Sequence, residues 1–202
     1  MINKLKIGIV CYPTYGGSGV VATELGIGLA KKGHEIHFIS YEQPFRLDLF
    51  SDKIYFHQVN VPHYPLFEYA PYELNLTSTL VDVVLHEKLD ILHVHYAIPH
   101  ASAAVNARQI LKTHGIYIPI ITTLHGTDIT LLGRDKSFKP VIEYVLNQSD
   151  FVTAVSESLK KDTLSYFNIE NDIITIPNFI DSNLYNSFSD NLQRDKFASQ
   201  NE

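Results

Sequence analysis

The chain has 202 residues (22.9 kDa), with 16 lysines and arginines against 22 acids, a net charge of −6, 45% hydrophobic and 19% charged content. That balance excludes disorder throughout, and the lack of a Lys/Arg-rich run argues against a nucleic-acid or anionic-membrane surface. One cysteine, Cys11, forbids an internal disulfide, and no apolar run approaches the roughly eighteen residues of a membrane span, so a soluble cytoplasmic protein is expected.

Leu5 to Cys11 is a short apolar run that stops at Tyr12-Pro13 and reads as a buried strand. Gly16-Gly17-Ser18-Gly19 follows, then a helix over Val20 to Lys32, with Val21, Leu25 and Leu29 at helical spacing and Gly33 at the C-cap. Glu35 to Ser40 and Ile54 to Val61 read as strands. Pro62 to Pro71 holds three prolines and reads as a surface loop, because proline removes donors and restricts its predecessor. Leu74 to Lys88 is a helix through Leu76, Leu80 and Val84; Ile91 to His95 is a strand; Pro99 opens a helix to about Lys112. Ile118 to Leu124 is a strand, Pro140 to Asn147 a helix, Phe151 to Val155 a strand. Ser156 caps a helix over Glu157 to Phe167, and Ile173 to Ile176 closes the series.

Alternating strands and helices imply a doubly wound parallel α/β sheet covered on both faces. Its ligands bind in the crevice beyond the strand C-terminal ends. The residues just after each strand are therefore the ones to question: Gly16 to Gly19, Glu42 to Arg46, Tyr96 to His100, His125 to Asp128 and Ser156.

The glycine stretch between strand and helix suits an anion cradle, since free N–H groups at a helix N-terminus favour phosphate or carboxylate. An ordinary tight turn explains it too. Gly17-x-Gly19-x-x-Ala22, with Glu42 beyond the second strand, also matches the dinucleotide fingerprint, so a nicotinamide oxidoreductase stays open. His93 and His95, two apart on a strand, share a face. With His100 and His125 they offer a conceivable metal site, but hydrogen-bonded crevice histidines are the commoner outcome and no metal is expected. Thr123, His125, Thr127 and Asp128 form a polar cluster fit to bond a polyol; Ser18, His125 and Asp128 could be read as a hydrolase triad, without the nucleophile elbow. Arg46 and Arg134 are the cations nearest the strand ends.

Taken together, GGSGVVATELGIGLAKKGHEIHFIS, DILHVHYAIPHA, TTLHGTDIT, SDFVTAVSESLKKD and ITIPNFIDSNLY resemble the N-terminal domain of a GT-B glycosyltransferase of glycosyltransferase family 4. The segments CYPTYGGSGVVATELG, QPFRLD and HVHYAIPHA resemble its bacillithiol-pathway subgroup. The resemblance implies a Rossmann-like N-terminal half of a GT-B fold over residues 1–181, with 182–202 the start of an inter-domain linker and the nucleotide-sugar domain absent. It implies retaining transfer of N-acetylglucosamine from UDP-GlcNAc to L-malate, without metal or other cofactor and without a settled enzymic nucleophile. A homodimer is an option it opens, and another acceptor remains the alternative. By the same resemblance Gly16 and Gly17 approach the donor. Ser18, Thr123 and Tyr96 lie near the acceptor, with Arg46 added on its charge. His125 contacts the transferred sugar as the catalytic positioning group.

Overall fold

A computed structural model describes residues 3–47, 52–62, 65–66 and 68–180, so the expected linker at 182–202 lies outside the described residues. Seven strands form one parallel sheet: β1 Lys6–Val10, β2 Glu35–Ser40, β3 Ile54–Gln58, β4 Ile91–His95, β5 Ile120–Leu124, β6 Phe151–Ala154 and β7 Ile173–Thr175. The spatial order is β3-β2-β1-β4-β5-β6-β7. The helices are α1 Ser18–Lys31, α2 Tyr72–Glu87, α3 Ser102–Thr113, α4 Thr127–Thr130, α5 Lys139–Gln148 and α6 Glu157–Tyr166.

β1 lies inside this order, between β2 and β4, with Ile7 in register with Ile36 of β2 and Ile91 of β4. Its continuous apolar run follows from that position, because both faces are buried: Ile9 and Val10 expose nothing to solvent. The chain reverses direction of growth between β1 and β4, and the crevice at that switch point is where ligands of such sheets bind.

Element positions match the sequence reading closely, with a few local differences. β3 ends at Gln58 and not Val61. β5 begins at Ile120 and not Ile118, since Pro119 has no N–H for the ladder. The third helix begins at Ser102 and not Pro99: Ile98, before the proline, is extended (φ −129°, ψ 139°), and Ala97–Ala101 makes a single π turn. The short helix α4 was not expected. Ser156 does cap α6, its Oγ accepting from Leu159 N at 3.1 Å.

The larger correction concerns coverage of the sheet. The main core unites α2, α3, α5 and α6 on one face, around Leu80, Leu92, Leu111, Leu124 and Ile142. The other core is small, with α1 laid over β1 and β2 through Ala22, Ile9, Ile36 and Phe38. Beyond α1 a groove of about 440 Å³ is lined by Leu25, Ile121, Phe151, Ile174 and Phe179. The sheet is therefore covered fully on one face and by α1 on the other among the described residues. Alternation of elements fixes the class of fold; it does not state on which face each crossover lands.

Arg108 on α3 ties the main core to the sheet. It is buried, with Nη1 2.8 Å from Asp150 Oδ2, and it donates to Gln148 O. Asp150 also accepts from Ile120 N at 2.8 Å and from the Tyr117 hydroxyl. Replacing Asp150 with alanine leaves a buried guanidinium uncompensated and should cost about 3 kcal/mol, read by urea denaturation. A loss below about 1 kcal/mol would show that water reaches Arg108. Among the described residues no helix is long and apolar enough to cross a membrane.

Candidate functional site

The loop between β1 and α1 and the loops after β4 and β5 meet at the switch point. Gly17 holds φ 60°, ψ −131° as the residue before α1, a region that suits glycine, and Val21 N bonds back to Gly17 O at 3.2 Å. Gly19 is fixed by contact: a Cβ there would sit 2.6 Å from Tyr12 O and 2.7 Å from Thr14 O, both backbone atoms. No acidic side chain occupies the first turn of α1, so its N-terminal N–H groups keep their positive field. Gly16 is exposed and Ser18 buried beside it.

Tyr96 directly follows β4 with φ 90°, an uncommon conformation for a non-glycine residue. Its backbone is held on both sides, N to Thr123 O at 3.0 Å and O from Ala101 N at 3.1 Å. The conformation swings the ring over His125 (5.6 Å between centroids, 27°) and edge-on to Tyr12 (5.3 Å, 76°). Thr127 Oγ1 donates to the Tyr96 hydroxyl at 2.9 Å.

Behind Tyr96 the histidines form a stack. His93 and His95 share a face as their spacing requires, with rings 4.7 Å apart, and His95 stacks on His125 at 5.0 Å. His95 Nδ1 and His125 Nε2 are 2.8 Å apart. His93 Nε2 bonds Thr123 Oγ1 at 2.7 Å, and that oxygen also meets Thr153 Oγ1 at 2.7 Å. His100 is buried and donates Nδ1–H to His95 O. Burial holds His93, His100 and His125 down to about 4, and the neighbouring imidazoles push His125 the same way. His95, wholly buried among the others, also lies well below an ordinary histidine. All four are neutral at pH 7, so His125 offers a hydrogen bond to a ligand and not a positive charge.

Asp128 serves the backbone. Its carboxylate accepts from Ala97 N (3.2 Å), Gly126 N (3.0 Å) and His125 N (3.3 Å), pinning the post-β4 and post-β5 loops together. Burial raises its pKa while these N–H groups oppose the rise. The hydrolase reading therefore lacks its charge partner: Asp128 bonds main-chain N–H groups, and the His125 ring bonds His95. The metal reading of His93, His95, His100 and His125 also finds no support, since among the described residues the group whose ligand atoms converge lies elsewhere, at His37, His57 and Glu87.

Of the expected site residues, Gly16, Gly17 and Ser18 stand at the start of α1, and Tyr96 and His125 touch one another across the crevice. Thr123 sits one layer beneath, its hydroxyl engaged by His93 and Thr153. Arg46 lies on the loop after β2 at φ 74°, its Nη1 3.2 Å from Glu24 Oε1 on α1. Phe45 beside it packs against Tyr15 of the glycine loop, with ring centroids 3.9 Å apart and planes tilted by 39°, which joins the two loops. Tyr12, His95, Thr127 and Asp128 are the partners that hold these groups. Tyr12 was legible by the strand-end rule, as it follows Cys11 directly; burial and Tyr96 raise its hydroxyl to about 12, so it stays protonated.

The chain matches the profile of Glycosyltransferase Family 4 over residues 15–184. It is 55% identical over 182 residues to the N-acetyl-alpha-D-glucosaminyl L-malate synthase of Bacillus anthracis, covering 90% of this chain and 47% of that protein. It is 28% identical over 189 residues to an uncharacterized glycosyltransferase of Methanocaldococcus jannaschii, covering 92% and 50%. The chain thus spans about half the length of the curated relatives it matches. Among solved structures, a glycosyltransferase from Rickettsia africae superposes with a TM-score of 0.68 at 22% identity, over 91% of this chain and 45% of that one. That likeness is one of fold.

Proposed function

Because the chain belongs to glycosyltransferase family 4, we propose that it forms the acceptor-side half of a cytoplasmic retaining transferase that moves N-acetylglucosamine from UDP-GlcNAc to L-malate in bacillithiol synthesis. The observation that carries the reading is the 55% identity, over nine-tenths of this chain, to a protein named for that product. In this reading residues 1–181 are the N-terminal domain, 182–202 lead into a nucleotide-sugar domain, and the reaction takes place between the two.

The chemistry assigned to the crevice is simple. The bond from the sugar anomeric carbon to the UDP phosphate breaks, a bond to the malate hydroxyl forms, and the hydroxyl proton passes to a donor phosphate oxygen. No side chain of this chain becomes bonded to the sugar. Gly16 and Gly17 let the donor diphosphate approach the α1 N-terminus, where the helix field favours it. His125, neutral and fixed by His95, donates to or accepts from the sugar without adding charge. Malate is a dianion; Arg46, oriented by Glu24, is the cation for one carboxylate, with Ser18 and the Tyr96 hydroxyl beside it. Thr123 acts through His93, whose ring it holds.

The test is an assay of the full-length protein with UDP-GlcNAc and a panel of 2-hydroxy acids. Malate-dependent UDP release with retained configuration supports the reading. Equal or faster turnover with another acceptor moves the chain to a family 4 transferase of different specificity, and saturable NADH binding without transferase activity would return it to the oxidoreductase reading.

A further inference from the structure

The sheet face under α2 carries a second histidine cluster that the crevice does not use. His37 of β2 lies beside Tyr55 of β3 in register, and Ile39 lies beside His57, so the two histidines are diagonal neighbours on one face. Their rings stack at 5.1 Å and 18°, with His37 Nδ1 2.8 Å from His57 Nε2. Glu87, on the last turn of α2, completes the group: one ligand atom from each of the three residues lies within 4.8 Å of the others. His37 Nε2 is 3.0 Å from Glu35 Oε1, and Lys6 Nζ holds the same carboxylate at 2.7 Å.

We propose that His37, His57 and Glu87 form a binding site for a divalent transition-metal ion of the zinc class, with Glu35 as the outer carboxylate that orients His37. Two imidazoles and one carboxylate are a donor set zinc accepts, with one position left for water. The outer shell is built in the way metal-bound histidines require: the ring nitrogen facing away from the metal donates to a carboxylate, which fixes the tautomer. Glu35 keeps the proton on His37 Nε2, so Nδ1 turns its lone pair inward. His57 Nε2–H donates to that lone pair in the metal-free protein; binding requires neutral His57 to carry its proton on Nδ1 instead. The two nitrogens must also part from 2.8 Å to the roughly 3.3 Å that two bonds of about 2.05 Å subtend at a tetrahedral centre. His57 is half-buried on edge strand β3 and can give by that amount. The ion would clip β3 to the end of α2.

Isothermal titration of the chelator-treated 202-residue chain with ZnCl2 tests this. Expected are one site with Kd of about 1 µM or tighter and a Tm rise of about 5–10 °C at a hundredfold excess over Kd. Co2+ should give the intense visible bands of a four-coordinate site. His57→Ala should weaken Zn2+ binding at least about a hundredfold, and Glu87→Gln and Glu35→Gln about tenfold or more, whereas His86→Ala, on the same helix, leaves it unchanged. Should His57→Ala not fold, Glu87→Gln decides, read by the Co2+ spectrum. Affinity weaker than about 100 µM, or tight binding that these substitutions leave unaltered, overturns the proposal.

Discussion

In the reaction proposed above, the full-length protein carrying His125→Ala will lose about 10²- to 10³-fold in kcat, with KM for the proposed acceptor malate moving less than about threefold. The imidazole is held by one hydrogen bond to His95 and by the face of Tyr96, a placement that leaves it little freedom to reorganise as charge develops on the sugar. A fixed neutral dipole of this kind acts in the transition state more than in the ground state, which puts its loss in kcat. A conservative His125→Gln should recover about tenfold, because an amide can supply one hydrogen bond. The alanine variant also leaves His95 Nδ1 without its partner, at about 1–3 kcal/mol of stability, so rates must be compared well below the variant's Tm. A loss in kcat below about threefold, in a variant shown to be folded, would remove His125 from the reaction.

Between pH 7 and pH 5 the domain will lose several kcal/mol of stability, measured as urea midpoints at three or four pH values. An unfolded histidine titrates near 6.5, whereas folded His93, His100 and His125 stay neutral down to about 4. In that window the unfolded chain binds more protons than the folded one, so stability rises with pH and falls as acid is added. His100, wholly buried, contributes about 2 kcal/mol of the loss; the other histidines of the stack add in the same sense. Asp128 works in the opposite sense, since its raised carboxyl gains stability as it protonates, but only toward the acid end of the range. His100→Gln should flatten the profile by about its own share. A level profile from pH 7 to pH 5 would mean that the stack takes up protons without opening.

The helices and strands were readable because their apolar spacing is strong: β2 and β4 fall on the residues expected, and the other expected elements are displaced by no more than a few positions. The polar crevice was readable from a rule about where ligands bind in such sheets, which pointed to Gly16, Tyr96 and His125. What escaped was set by contacts between distant residues. Asp128 in isolation can be read as the carboxylate of a hydrolase triad; only the approach of Ala97, thirty-one positions away, turns it into a clasp for two loops. Thr123 is an acceptor contact by motif, yet the neighbours that claim its hydroxyl arrive from β4 and β6. His37 and His57 carry no motif, because strand register and not spacing along the chain makes them neighbours.

The strand order has a consequence for how the crevice comes into being. β4 through β7 are joined by short closures: Leu92 meets Ile120, Ile121 meets Phe151 and Val152 meets Ile173, each within about thirty residues. The seam between β1 and β4 joins Ile7 to Ile91, 84 residues apart. Chain-closure entropy makes that seam about 1 kcal/mol harder to form than its neighbours, and contact order makes it the slow step among them. Tyr12 and the glycines stand on one side of this seam, Tyr96, His100 and His125 on the other. The site is therefore stitched across the longest closure in the central sheet, and the Tyr12–Tyr96 and Tyr12–His100 ring contacts are the stitches. A chain with its crevice intact has already completed the costliest of these closures.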